Sequence, residues 1–148
     1  MSENLRLARL YFVILAIVAG GRWVMSLLAV PYAKGTDKLS IVIITLLSSV
    51  FYGAFCRRWR GLKLLPAVGL GATLGFSAQI VVFVSTLISY LFGLETYYNN
   101  PIALNQVAAV PLGAALLIRA GGLVANTLTA GIAGALGWAM GALLPESR

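Results

Sequence analysis

The chain contains no histidine, one cysteine and only four carboxylate side chains in 148 residues. Without histidine, the usual haem ligand and the commonest general base are missing. Cys56 has no partner for a disulfide within the chain, and no CxxC or Cys/His pattern points to a metal. The four acids, Glu3, Asp37, Glu95 and Glu146, all fall in expected loops or tails. Proton relays and cation sites built on intramembrane carboxylates are therefore excluded. Serines and tyrosines are present, but no base is available to activate them, and no nucleotide-binding motif occurs. The expectation is a protein that is not an enzyme and holds no cofactor or metal.

Charge is also scarce. Charged residues make up 10% of the chain and hydrophobic ones 60%, with a mean hydropathy of +0.93. Soluble domains carry roughly 25% charged residues, because they must solvate a whole surface. So little charge implies lipid as the main solvent and a single integral membrane domain over residues 1–148. The formal net charge of +7 resides mostly at expected helix ends. There it orients membrane segments and meets anionic headgroups, so nucleic acid is not an expected partner. Residues 6–20 have the basic start and apolar run of a signal peptide. The apolar character resumes after Arg22, however, which reads as a retained first span.

What is present is a set of long apolar runs. They predict an all-α membrane protein, a four-transmembrane-helix bundle with spans at 7–30, 39–56, 64–93 and 123–144. Segment 106–118 is apolar but short and carries Pro111, and the run Arg119-Ala120-Gly121-Gly122 reads as a break. An apolar stretch of about 10–14 residues is more often re-entrant or interfacial than spanning. A short helix of that kind is therefore expected before the last span, with five spans as the alternative. Arg6, Arg9 and the cluster Arg57, Arg58, Arg60 and Lys63 outweigh Lys34, Lys38 and Arg119 on the other side. By the positive-inside rule both termini are expected to be cytoplasmic, in an inner or plasma membrane. The cluster itself reads as an interfacial site that orients the chain and attracts anionic lipid at about 1 kcal/mol per charge. Trp59 on the inner side, and Tyr32, Tyr90, Tyr97 and Tyr98 on the outer side, read as interfacial aromatic belts.

Each span has a seam of small or polar residues at helical spacing, such as Thr45, Ser49, Tyr52 and Cys56 on the second. Gly71-x-x-x-Gly75 and Gly137-x-x-x-Gly141 permit close helix contact. Arg22 stands apart, because a guanidinium deep in a bilayer costs roughly 2.5–3.5 kcal/mol. Three readings are open: snorkelling or carbonyl capping, pairing with a carboxylate, or binding an anion or lipid headgroup. Ser26, Gln79 and Asn126 are the neutral groups expected beside it, either as ligand donors or as helix–helix polar contacts. Arg119 reads as an anchor at a helix end.

The length and four-span layout resemble the small dimeric multidrug exporters, although Arg22 lies where those carry a first-span glutamate. Gly20-Gly21-Arg22 resembles the glycine-rich, arginine-bearing first span of the small double-barrelled fluoride channels. Their third-span break is not matched by Gly75-Phe76-Ser77-Ala78-Gln79, and no family is assigned. The expected function is a non-catalytic membrane subunit of a homo-oligomer or larger assembly, with membrane lipid and other membrane subunits as partners. The alternative is an oligomeric channel, transporter or binding protein for a small anion or anionic lipid, using Arg22.

Overall fold

The computed structural model describes residues 6–36 and 40–145. Four long helices dominate: α1 (Arg9–Leu27), α2 (Ile41–Arg60), α3 (Leu64–Leu91) and α4 (Leu112–Met140). A five-residue helix, Tyr32–Thr36, follows α1, and 3-10 turns occupy Pro101–Leu104 and Gly141–Leu143. There is no strand among the described residues. All four long helices are long and apolar enough to cross a membrane. Leu10 and Ile17 on α1, Leu47 on α2, Leu65 on α3 and Leu128 on α4 all point outward.

Local chemistry sets the helix ends. The Ser40 side chain accepts from the Ile43 N–H at the start of α2. Gly61, at φ 60°, closes α2 in the left-handed conformation that a side chain disfavours. The helix thus runs through Arg57, Arg58 and Arg60 rather than stopping at Cys56.

The last span departs from expectation. Residues 106–111 are not helical, and α4 begins directly after Pro111, whose carbonyl accepts from the Ala115 N–H at 3.0 Å. The helix then continues unbroken through Arg119, Gly121 and Gly122. The short helix expected at 106–118 is therefore the first part of α4. Glycine costs about 1 kcal/mol per residue against alanine in a helix, too little to end a well-anchored one. Arg119 bonds to neighbouring segments instead of facing an interface. At 29 residues, α4 is about 44 Å long and exceeds a hydrocarbon core of about 30 Å.

The small-residue seams are used within the chain. α4 lies along both α3 and α2, and α2 lies against α3. Thr45, Ser49, Tyr52 and Cys56 are all buried, as the second seam predicts. A methyl group on Gly75 would lie 2.6 Å from the Ala130 Cβ, so the α3–α4 contact requires a glycine there. Buried hydroxyls bond back along their own helices, as Ser49 does to the Thr45 carbonyl at 2.8 Å. α1 flanks this core. At one end it is tied by Tyr11, 1% exposed, whose hydroxyl lies 2.8 Å from Thr45 Oγ1 and donates to the Leu74 carbonyl at 3.1 Å. At its other end, the loop after α3 fills the space between α1 and the core.

Candidate anion-binding cavity

That loop is built to turn inward. Gly93, at φ 62°, ends α3, and the Leu94 N–H donates to the Ser89 carbonyl. The Asn99 side chain accepts from the Thr96 N–H at 2.8 Å and donates to the Leu94 carbonyl at 2.8 Å. This tight turn drives Tyr97 and Tyr98 into the bundle, where they are 4% and 1% exposed. The Tyr98 hydroxyl donates to the Ala19 carbonyl at 3.0 Å, and its ring meets Trp23 with centroids 5.6 Å apart. The Tyr97 hydroxyl donates to the Val30 carbonyl at 2.8 Å. Both are wedges between α1 and α3 rather than members of a lipid-facing belt.

Arg22 is buried behind them. Its Cζ lies 6.0 Å from the ring centroid of Tyr32 and 5.5 Å from those of Tyr97 and Tyr98. Cation–π attraction contributes about 0.5–2 kcal/mol per ring, larger where water is excluded. Three such rings offset much of the cost of holding a guanidinium inside the bundle. The residue is 8% exposed. Glu95 does not fold back toward it; it stays exposed on the rim of a different cleft.

Arg119 holds the loop. Its Nε donates to Thr86 Oγ1 at 3.1 Å, Nη1 to the Ala103 carbonyl at 3.2 Å and Nη2 to the Tyr98 carbonyl at 2.6 Å. These bonds join α4 to α3 and to both ends of the inserted segment. The expected headgroup anchor is thus an internal clamp. Its side chain also faces the same cavity as Arg22.

The cavity has a volume of about 410 Å³ and is bordered by Arg22, Arg119, Gln79, Asn126, Tyr98 and Asn105, among others. Gln79 is 6% exposed, and its amide makes no hydrogen bond among the described residues. A side chain at Gly122 would begin 3.8 Å from both Gln79 Oε1 and Asn126 Nδ2, so this glycine leaves the space between the two amides open. Of the four carboxylates only Glu95 falls within the described residues, and it does not border this cavity. The arrangement offers guanidinium and amide donors, a set suited to charge-assisted hydrogen bonds with an oxyanion.

Of the four residues expected to lie together, Arg22, Gln79 and Asn126 border this one cavity. Ser26 is engaged elsewhere. Its hydroxyl donates to the Arg22 carbonyl at 2.7 Å and accepts from the Tyr97 N–H at 2.9 Å. It positions the loop against α1. Arg119, Tyr98 and Asn105 were not foreseen, because the contacts that bring them to the cavity join segments distant in sequence. Among the described residues no cluster of histidine, cysteine and acid residues suits a metal.

The basic cluster separates into two pairs. Arg57 Nη1 donates to the Trp138 carbonyl at 3.3 Å, and its Cζ lies 4.2 Å from the Trp138 ring centroid. Arg58 Nε donates to the Pro145 carbonyl at 2.9 Å. Both satisfy carbonyls at or beyond the C-terminus of α4, where positive charge is favoured. Arg60 and Lys63 are exposed.

Burial pushes the Tyr98 phenol above its ordinary value, with the Arg22 charge and hydrogen bonds to Ser85 and Arg22 opposing the shift. The neutral form is the one the fold favours. The sign follows: this stabilisation is present below the unfolded value of about 10 and is lost as pH rises through the higher folded value. Thermal unfolding in detergent between pH 7 and 11 is expected to show the loss in the native chain. Tyr98→Phe is expected to be less stable at neutral pH by about 1 kcal/mol and to show a shallower decline.

No protein-family model, curated protein or solved structure matches the chain.

Proposed function

We propose that the chain is a non-catalytic integral membrane protein that binds an anionic group, a small anion or an acidic headgroup, in the Arg22–Arg119 cavity. The observation that carries this reading is the convergence of Arg22, Arg119 and Gln79 on one cavity. Membrane insertion is supported by four apolar helices of spanning length that carry large hydrophobic side chains on their outward faces. The test is calorimetric titration of the protein in maltoside detergent with inorganic phosphate. Saturable binding, weakened in Gln79→Leu and Arg22→Gln, is the expected result; heats indistinguishable from dilution reject the reading.

In this reading both termini are cytoplasmic. The support is that Arg57, Arg58, Arg60 and Lys63 gather where α2 meets the end of α4, on one side of an even number of spans. An impermeant thiol reagent applied to intact cells should fail to label a cysteine placed at Lys63; labelling reverses the orientation.

Assembly into a homo-oligomer or larger complex is a second reading, which rests on α4. Its most apolar segment is only 17% buried, the least of the four helices, and Leu117, Val124, Leu128 and Ile132 line its outer side. Native mass spectrometry from the source membrane is expected to show a second copy or a stoichiometric foreign chain. A monomer carrying lipid alone removes this reading.

A further inference from the structure

The arginine cavity is larger than a bare oxyanion needs. At about 410 Å³ it falls within the range of sites that enclose organic molecules, roughly 300–1,000 Å³. Its polar groups are also of two kinds. Guanidinium groups only donate hydrogen bonds, whereas the carboxamides of Gln79 and Asn126 both donate and accept. Gln79, 6% exposed, and the partly buried Asn126 border the cavity and make no hydrogen bond among the described residues. Charged oxygens satisfy the carboxamide N–H groups but not the carboxamide oxygens, which call for a donor on the ligand.

The spacing on α4 says where that donor sits. Arg119, Gly122 and Asn126 fall at i, i+3 and i+7, on one face of the helix, and all three border the cavity. A methyl group on Gly122 would lie 3.8 Å from both Gln79 Oε1 and Asn126 Nδ2. A hydroxyl in that space can donate to the first and accept from the second. Gly122 is three residues from Arg119, a rise of about 4.5 Å, so the hydroxyl stands only a few bonds from the anionic group. Two guanidinium groups match the charge and the several acceptor oxygens of a phosphate.

Resting on the anion reading above, we infer that the ligand is a phosphorylated polyol, its phosphate between Arg22 and Arg119 and a hydroxyl between the carboxamides of Gln79 and Asn126, in the space that Gly122 leaves open. Glycerol phosphate has this arrangement. The same group occurs free in solution and as the headgroup of phosphatidylglycerol.

The test titrates the full-length protein in maltoside with glycerol phosphate, with propyl phosphate, which has the same skeleton without hydroxyls, and with inorganic phosphate. Glycerol phosphate is expected to bind about tenfold more tightly than propyl phosphate, the size of one or two hydrogen bonds to a hydroxyl. Gly122→Ala puts a methyl group in the place of that hydroxyl. It is expected to abolish the advantage and leave binding of inorganic phosphate unchanged. The fold tolerates the change, since 3.8 Å is an ordinary contact and alanine favours a helix. Asn126→Leu is expected to act in the same way. Phosphatidylglycerol added to the micelles identifies a lipid headgroup as the source if it competes with glycerol phosphate, and a soluble one if it does not. Equal affinities for glycerol phosphate and propyl phosphate, unmoved by Gly122→Ala, overturn the polyol while leaving the anion site standing. No saturable binding of any of the three overturns the anion reading itself.

Discussion

Replacing Gly137 by alanine is expected to lower the stability of the bundle by about 3 kcal/mol, the upper part of the range for overfilling a close contact. The reason is geometric. A methyl group on Gly137 would collide with the Val50 carbonyl oxygen, and it would approach Val50 Cα to 2.7 Å. The obstructing atoms belong to the α2 backbone, which cannot rotate aside as a side chain can. Relief requires the two helices to move apart, and Trp138, whose Nε1 donates to the Leu62 carbonyl at 2.8 Å, moves with α4. Gly113→Ala serves as the control, since nothing lies within 4 Å of the position its methyl group would take. That variant is expected to gain up to about 1 kcal/mol from helix propensity. Reversible unfolding in mixed detergent micelles reads both, and equal stability of the two variants would contradict the α2–α4 contact.

The second large effect concerns binding. Arg22→Gln removes a full charge from the cavity and is expected to weaken phosphate binding about a hundredfold, the equivalent of about 2.7 kcal/mol. Arg119→Gln alters both the cavity and the loop, because the same guanidinium bonds to Thr86, Tyr98 and Ala103. It is expected to lose stability along with affinity, through backbone carbonyls left without their donor. Comparing the two variants by titration and by thermal unfolding therefore separates an electrostatic contribution from a structural one. Loss of affinity in Arg119→Gln alone would assign the cavity to loop anchoring.

Hydropathy revealed the four long apolar helices because each contains a long run with few charges, and helical spacing revealed their buried sides. The Thr45–Ser49–Tyr52–Cys56 seam is the clearest instance. The same reasoning misplaced the start of α4, since a lone arginine followed by two glycines has the sequence pattern of a helix boundary. Arg119 is instead tied within the protein by the carbonyls of residues 98 and 103, and no local pattern announces such bonds. Tyr97 and Tyr98 were unreadable for a related reason. Tyrosines in a loop between apolar spans suit an interface, and only the turn made by Asn99 sends them inward. Arg22, Gln79 and Asn126 stood out as polar residues in apolar runs, whereas Arg119 looked peripheral until the loop folded onto it.

Gln79→Leu offers the most direct test of the proposed anion binding in the Arg22–Arg119 cavity. Gln79 is 6% exposed, borders the cavity and makes no hydrogen bond among the described residues, so a leucine of similar size should leave stability unchanged or raise it. If the amide serves a bound anion, the same change should weaken phosphate binding by about tenfold or more. Titration and unfolding of this one variant in the same detergent give both numbers. Preserved stability with lost affinity is the expected result; preserved affinity, or lost stability without any binding to lose, would contradict it.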